Sequence, residues 1–190
     1  ENKPEGVFVD ILSIQNACDL VASNLQATGI ARGAATAVAR QTVAALVAGQ
    51  MVQFSGSLAD LVADSVAAAI GGPVFHEWRV PVGLISDGAA SDCVEIATES
   101  SSCLLLKGAN LSAFEVYGSA VRDLVVRRQF IGSSYGGLAL IASWAQGPAA
   151  FPDGGTLAEL GPVLDTDRLP TRGVSAKLPE LKYGRLVKET

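Results

Sequence analysis

The spacing of apolar residues divides the chain into a helical first third and a strand-rich remainder. Ile11, Ile14, Cys18, Val21 and Leu25 recur at helical intervals, with Asp10 as a cap and Gly29 as a stop, which predicts a helix over residues 11–27. A second helix is expected over residues 31–53. Its run of Ala34, Ala35, Ala37, Val38, Ala44, Ala45, Leu46 and Val47 is apolar nearly all round, so it belongs at the centre of a core. Ser57 opens a third, with Asp60 and Asp64 in its first turns and Leu58, Leu61, Val62, Val66, Ala69 and Ile70 as its buried stripe. Gly71, Gly72 and Pro73 end it.

From residue 74 the period shortens to two. His76, Trp78, Val80, Val82 and Leu84 alternate with Glu77, Arg79, Pro81 and Gly83, the pattern of a strand that Pro81 pushes toward an edge. Residues 93–98 and 103–107 read as a hairpin turning at Glu99 and Ser100, and residues 114–117 as another short strand. Residues 119–131 and 138–144 suit helix or strand equally. Helices first and strands later, without regular βαβ alternation, predict an α+β fold: N-terminal helices packed on a mainly antiparallel sheet. After Gly147, Pro148, Pro152, Pro162, Pro170 and Pro179 punctuate short apolar pieces. The expected organisation is one α+β domain over residues 1–146 and an extended arm over residues 147–190, anchored by Leu157, Leu160, Val163, Leu164, Leu169, Leu178, Leu181 and Leu186.

Composition narrows the function classes. The net charge of −5, from 14 basic and 19 acidic residues, opposes nucleic-acid binding, which usually needs a basic face. The longest uncharged stretch, residues 41–59, is broken by Gln50, Gln53, Ser55, Gly56 and Ser57, so it reads as a buried helix and a turn and not as a membrane span. The first residue is Glu1 and not Met, which suits a processed N-terminus of a secreted, virion or organelle-lumen protein; the compartment stays open. Cys18, Cys93 and Cys103 lack metal-ligand spacing, and no other set calls for a metal or cofactor. Cys93 and Cys103 flank the expected hairpin, where a disulfide would be in reach if they fall in register.

One motif carries chemistry. Gly132-Ser133-Ser134-Tyr135-Gly136 matches G-x-S-x-G with Ser134 in the nucleophile place. With residues 125–131 as the strand before it and residues 137–144 as the helix after it, the run resembles the nucleophile elbow of the α/β-hydrolase family. That resemblance implies a serine nucleophile followed in sequence by an acid and a histidine. Asp153, Asp165 and Asp167 follow, but the one histidine, His76, precedes Ser134, so a base would have to come from His76 in a different order.

Three readings of function remain. A non-enzymatic structural or assembly subunit fits an incomplete catalytic set and a chain with five lysines, since interface cores are depleted in charge. Its partners would be other protein chains, in a homo-oligomer or large complex. A small esterase-like hydrolase using Ser134 and His76 is the alternative, and a secreted toxin or effector the third.

Overall fold

The computed structural model describes residues 6–73, 75–131, 137–173 and 177–186; of Phe130, Ile131 and Leu186 it describes the backbone alone. The fold is α/β. Its five-stranded sheet is parallel throughout, in the order β3-β4-β5-β2-β6, built from β2 (Met51–Ser55), β3 (His76–Arg79), β4 (Cys103–Lys107), β5 (Ala139–Ser143) and β6 (Val163–Asp165). The expected antiparallel α+β sheet is overturned, and the physical reason is visible in the strands. Parallel strands covered on both faces read as continuous apolar runs and not as alternations. Leu104, Leu105, Leu106, Leu140, Ile141, Ala142, Met51 and Val52 are all essentially inaccessible.

The two faces of the sheet carry two cores. The first joins Val52, Phe54, Cys103, Leu105 and Ile141 to α1 (Ile14–Ala27), α2 (Arg32–Val47) and α3 (Ala59–Gly71). The second joins Met51, Leu104, Leu106, Leu140 and Ala142 to α4 (Gly88–Ser100), α5 (Phe114–Tyr117) and α6 (Ser119–Ile131). Burying an apolar side chain is worth roughly 1.5–3 kcal/mol, so two such layers dominate the stability of the domain.

The hairpin expected at residues 93–107 is a helix followed by a strand. Ala90, Cys93 and Ala97 lie three and four residues apart on one buried face of α4, and only β4 is extended. Cys93 therefore belongs to the second core and Cys103 to the first, on opposite faces of the sheet, and both are free thiols. The first helix starts at Ile14, where Ser13 accepts the Asn16 N–H as N-cap; Asp10 lies instead in β1 (Val7–Ile11) and pairs with Arg185. The second helix ends at Val47, and the buried run that follows is β2. Residues 114–117 are a helical turn, not a strand.

The segment after Gly147 is woven into this domain. Leu157 and Leu160 lie in the second core, β6 extends the sheet beside β2, and Leu164 and Leu169 pack on the first core. Val163 is half-buried in β6, while Leu178 and Leu181 remain exposed. Near the end, β7 (Lys182–Leu186) pairs in parallel with β1 and lies against α3. Buried Asn24 ties it down, donating to the carbonyls of Ser65 and Lys182 and accepting the Lys182 N–H at 2.9 Å. Leu157 and Leu160 are buried within the domain.

Candidate functional site

Open parallel sheets bind ligands beyond the carboxyl ends of their strands, where neighbouring connections leave in opposite directions. Here that point lies between β5 and β2. The chain leaves β2 into α3 on one face, and leaves β5 toward Leu157 and Leu160 on the other.

Each strand delivers a polar residue to this edge as its apolar run ends. Lys107 closes β4, Ser143 closes β5, and Glu77 stands on β3. All three face α3, whose first two turns bring Asp60 and Asp64. Ser143 is fully buried; its hydroxyl donates to Asp60 Oδ1 at 2.5 Å and accepts the Gly108 N–H at 3.3 Å. Lys107 Nζ lies 3.0 Å from Asp64 and 2.7 Å from Glu77 Oε1. Burial alone would push the Lys107 ammonium down, but its hydrogen bonds to Glu77 and Asp64 outweigh this and hold it above the ordinary lysine value. Burial, joined by the neighbouring charges of Glu77 and Asp60, holds the Asp64 carboxyl above its ordinary value despite the hydrogen bond and charge of Lys107.

The N-terminus of α3 is a natural anion cradle, since its first amides lack intrahelical partners. Just before it, the C-terminal segment takes up the amides of the preceding turn. Asp167 Oδ1 accepts the Ser57 N–H at 3.0 Å, and Thr166 Oγ1 accepts the Leu58 N–H at 3.2 Å. Gly56 permits this approach: a Cβ there would stand 2.6 Å from Thr166 Oγ1. On the other face, the Trp144 indole donates to Gln53 Oε1 at 2.9 Å, and Asn110 bridges to Ala145 in both directions.

Chemically, this edge offers little to a substrate. Ser143 is a hydroxyl with a carboxylate beside it, but it is enclosed. Lys107 is held as a cation and so cannot accept a proton. At this edge Asp60, Glu77 and Asp167 are exposed and Asp64 and Asp165 half-buried, beside the exposed Arg79 and Arg168, the latter 3.5 Å from Asp165. Among the described residues no three His, Cys, Asp or Glu side chains gather as metal ligands.

The residues singled out in the sequence fall elsewhere. Ser134 and its motif, residues 132–136, lie outside the described residues. The elements around them are nonetheless plain: α6 precedes and β5 follows. The strand–turn–helix order of a nucleophile elbow is therefore reversed, because Val121 and Val125 bury a helical face while residues 139–143 are enclosed on both faces of the sheet. His76 is half-buried at the amino end of β3, opposite Leu104, at the other end of the sheet from Lys107 and Ser143. Asp167 is read from the sequence only as an acid for Ser134, and Lys107, Ser143 and Gln53 are not singled out there. Their signal was a polar residue in or at the end of an unbroken apolar run, which only acquires meaning once the runs are known to be parallel strands.

Comparison with known proteins gives one strong likeness. The chain is similar to Druantia protein DruC of Escherichia coli (strain UMEA 4076-1). The two are 59% identical over 177 residues, covering 93% of this chain and 28% of that protein. The chain thus spans less than a third of the length of the relative it matches. No family model and no solved structure matches it. Among the described residues no helix is long and apolar enough to cross a membrane.

Proposed function

We propose that this chain is a protein-binding domain of a DruC-like protein and contributes an assembly surface to a multi-protein Druantia defence complex. The observation that carries the reading is the carboxyl edge of the sheet. The groups an α/β enzyme would present to a substrate are paired within the chain, Ser143 with Asp60, Lys107 with Asp64 and Glu77, Asp167 with Ser57. Three of these paired carboxylates, Asp60, Glu77 and Asp167, are also exposed, and they complement a basic protein surface better than a small anionic substrate.

The reading is tested by co-expressing the chain with the other proteins of a Druantia system and measuring the mass of the purified product by light scattering. A defined complex that weakens as salt is raised, and that is lost on charge reversal in Asp60→Lys/Glu77→Lys, is the expected result. A chain that stays monomeric beside every such protein would sink it. Turnover of ester substrates that survives Ser134→Ala but not Ser143→Ala would instead favour an enzyme built on the carboxyl edge.

A further inference from the structure

The parallel strands β1 and β7 form a second sheet, and of its two outer edges only that of β7 is closed. Lys182 turns both its N–H and its C=O to the Asn24 side chain, at 2.9 and 2.8 Å. Gly72 packs beside the same edge, where a Cβ would stand 2.8 Å from the Gly184 carbonyl oxygen. Successive residues of a strand turn their backbone groups to opposite sides, so Tyr183 and Arg185 turn theirs to β1. In a parallel ladder each bonds the residues that flank its opposite number, which here are Val7, Val9 and Ile11. Phe8 and Asp10, opposite Tyr183 and Arg185, therefore direct their N–H and C=O groups away from β7.

Among the described residues nothing blunts this outer edge. Edge strands are usually protected by proline, lysine, a bulge or a covering segment. Val7–Ile11 holds neither proline nor lysine, its register with β7 runs unbroken, and no other described strand flanks it. Val7 and Phe8 are 43% and 51% exposed. The one charge on the strand, Asp10, is held within its own chain by Arg185 Nη2 at 2.7 Å. A row of outward backbone donors and acceptors is matched by one kind of surface, the edge of another extended strand.

We propose that β1 pairs with β1 of a second copy of this chain, antiparallel, about a two-fold axis at Val9. The register follows from the edge's own groups. With Val9 opposite Val9 of the second copy, Phe8 stands opposite Asp10 of the second copy, and each such pair exchanges N–H and C=O. All the outward groups of both copies are then satisfied. No like charges meet, because each Asp10 lies between a phenylalanine and its own Arg185. The closed edge of β7 stops further addition, so the product is a closed dimer and not a fibre.

The chain alone, followed by sedimentation over a range of concentrations, should exchange between monomer and dimer and go no further. Asp10→Pro deletes an outward N–H where an edge strand tolerates proline, and should raise the dissociation constant at least about tenfold. Asp10→Asn also loses the Arg185 ion pair but keeps the N–H, and should leave the constant within about twofold. Where Asp10→Pro does not fold, a crosslink decides. In a chain carrying Cys18→Ser, Val9→Cys should give a disulfide-linked dimer under mild oxidation and Phe8→Cys should not, because only position 9 stands opposite itself. A chain that is monomeric throughout, a dimer indifferent to Asp10→Pro, crosslinking at position 8 as readily as at 9, or association that continues past the dimer would each overturn the proposal. So would protection of Val7–Ile11 from hydrogen exchange that needs another Druantia protein, which would give the edge to a different chain. The pairing goes beyond the assembly reading and fails separately from it, since charge reversal in Asp60→Lys/Glu77→Lys should leave this dimer intact.

Discussion

Asp167 and Ser57 stand 110 residues apart in the chain and are joined twice in the fold: one carboxylate oxygen accepts the Ser57 N–H at 3.0 Å and the Ser57 hydroxyl at 2.6 Å. The C-terminal segment thus supplies acceptors for the turn that leads into α3, whose N-cap residue, Leu58, makes no side-chain cap of its own. The same contact lies beside the pairing of β2 with β6, where Ser55 stands opposite Asp165.

Asp167→Ala should therefore lower the urea midpoint without changing the slope of the transition, and Asp167→Asn should lower it less, since the amide oxygen still accepts. The Ser57 hydroxyl and backbone hydrogen bonds hold the Asp167 carboxyl below its ordinary value. A depressed folded pKa contributes stability that is present above the unfolded value of about 3.9 and is lost as pH falls through the folded one. The gap between the parent chain and Asp167→Ala, followed by urea unfolding from pH 7 downward, should hold to about pH 4 and then close.

Lys107→Met removes the cation that Asp64 and Glu77 share. Breaking a fully buried pair costs about 3–5 kcal/mol, but both carboxylates are more than a third exposed and partly screened by water, so a loss of about 2 kcal/mol is expected. A double-mutant cycle with Asp64→Asn should show coupling between the two positions. Additive effects would mean that the contact carries no energy of its own.

Gly184 lies where β7 crosses α3. A Cβ there would stand 1.7 Å from the Ala69 carbonyl oxygen, a backbone atom that cannot rotate aside. Gly184→Ala should cost at least about 2 kcal/mol, in the upper part of the range for overpacking. Hydrogen exchange should rise in residues 182–186 and in Val7–Ile11, with the five-stranded sheet still protected.

Cys93 and Cys103 should resist thiol reagents in the native chain and react in denaturant, with the half-buried Cys18 labelled first. Burial pushes the Cys93 thiol up to about 11 and Cys103 to about 12. The sign follows from the neutral thiol being favoured in the fold. Its contribution is complete below pH 9 and is lost as pH rises from there toward 12, so alkaline unfolding should be eased by Cys103→Ala less than its volume loss alone would cost at neutral pH.

Local pattern and tertiary context contributed in different measure to what could be read from the chain. The stripe Val62, Val66, Ala69, Ile70 with Gly71 and Gly72 behind it identified α3, although Leu61, expected in that stripe, is exposed and residues 65–70 are buried all round. The runs Leu104-Leu105-Leu106 and Leu140-Ile141-Ala142 were recognisable as buried, but their direction was not. An apolar run enclosed on both faces has no alternation, and whether its neighbour runs parallel depends on the helix between them. Residues 88–100 hid that helix, since its buried face is made of Ala90, Cys93 and Ala97, small residues that give a weak periodic signal. The candidate sites were less legible still. Lys107, Ser143, Asp60 and Asp64 come from three separate elements. By itself the sequence determined an acidic chain with a core large enough for one domain and helices in its first third. Only the tertiary structure decided the parallel order of the strands, and with it which polar residues meet at each edge, because that order is set by contacts between residues far apart in the chain.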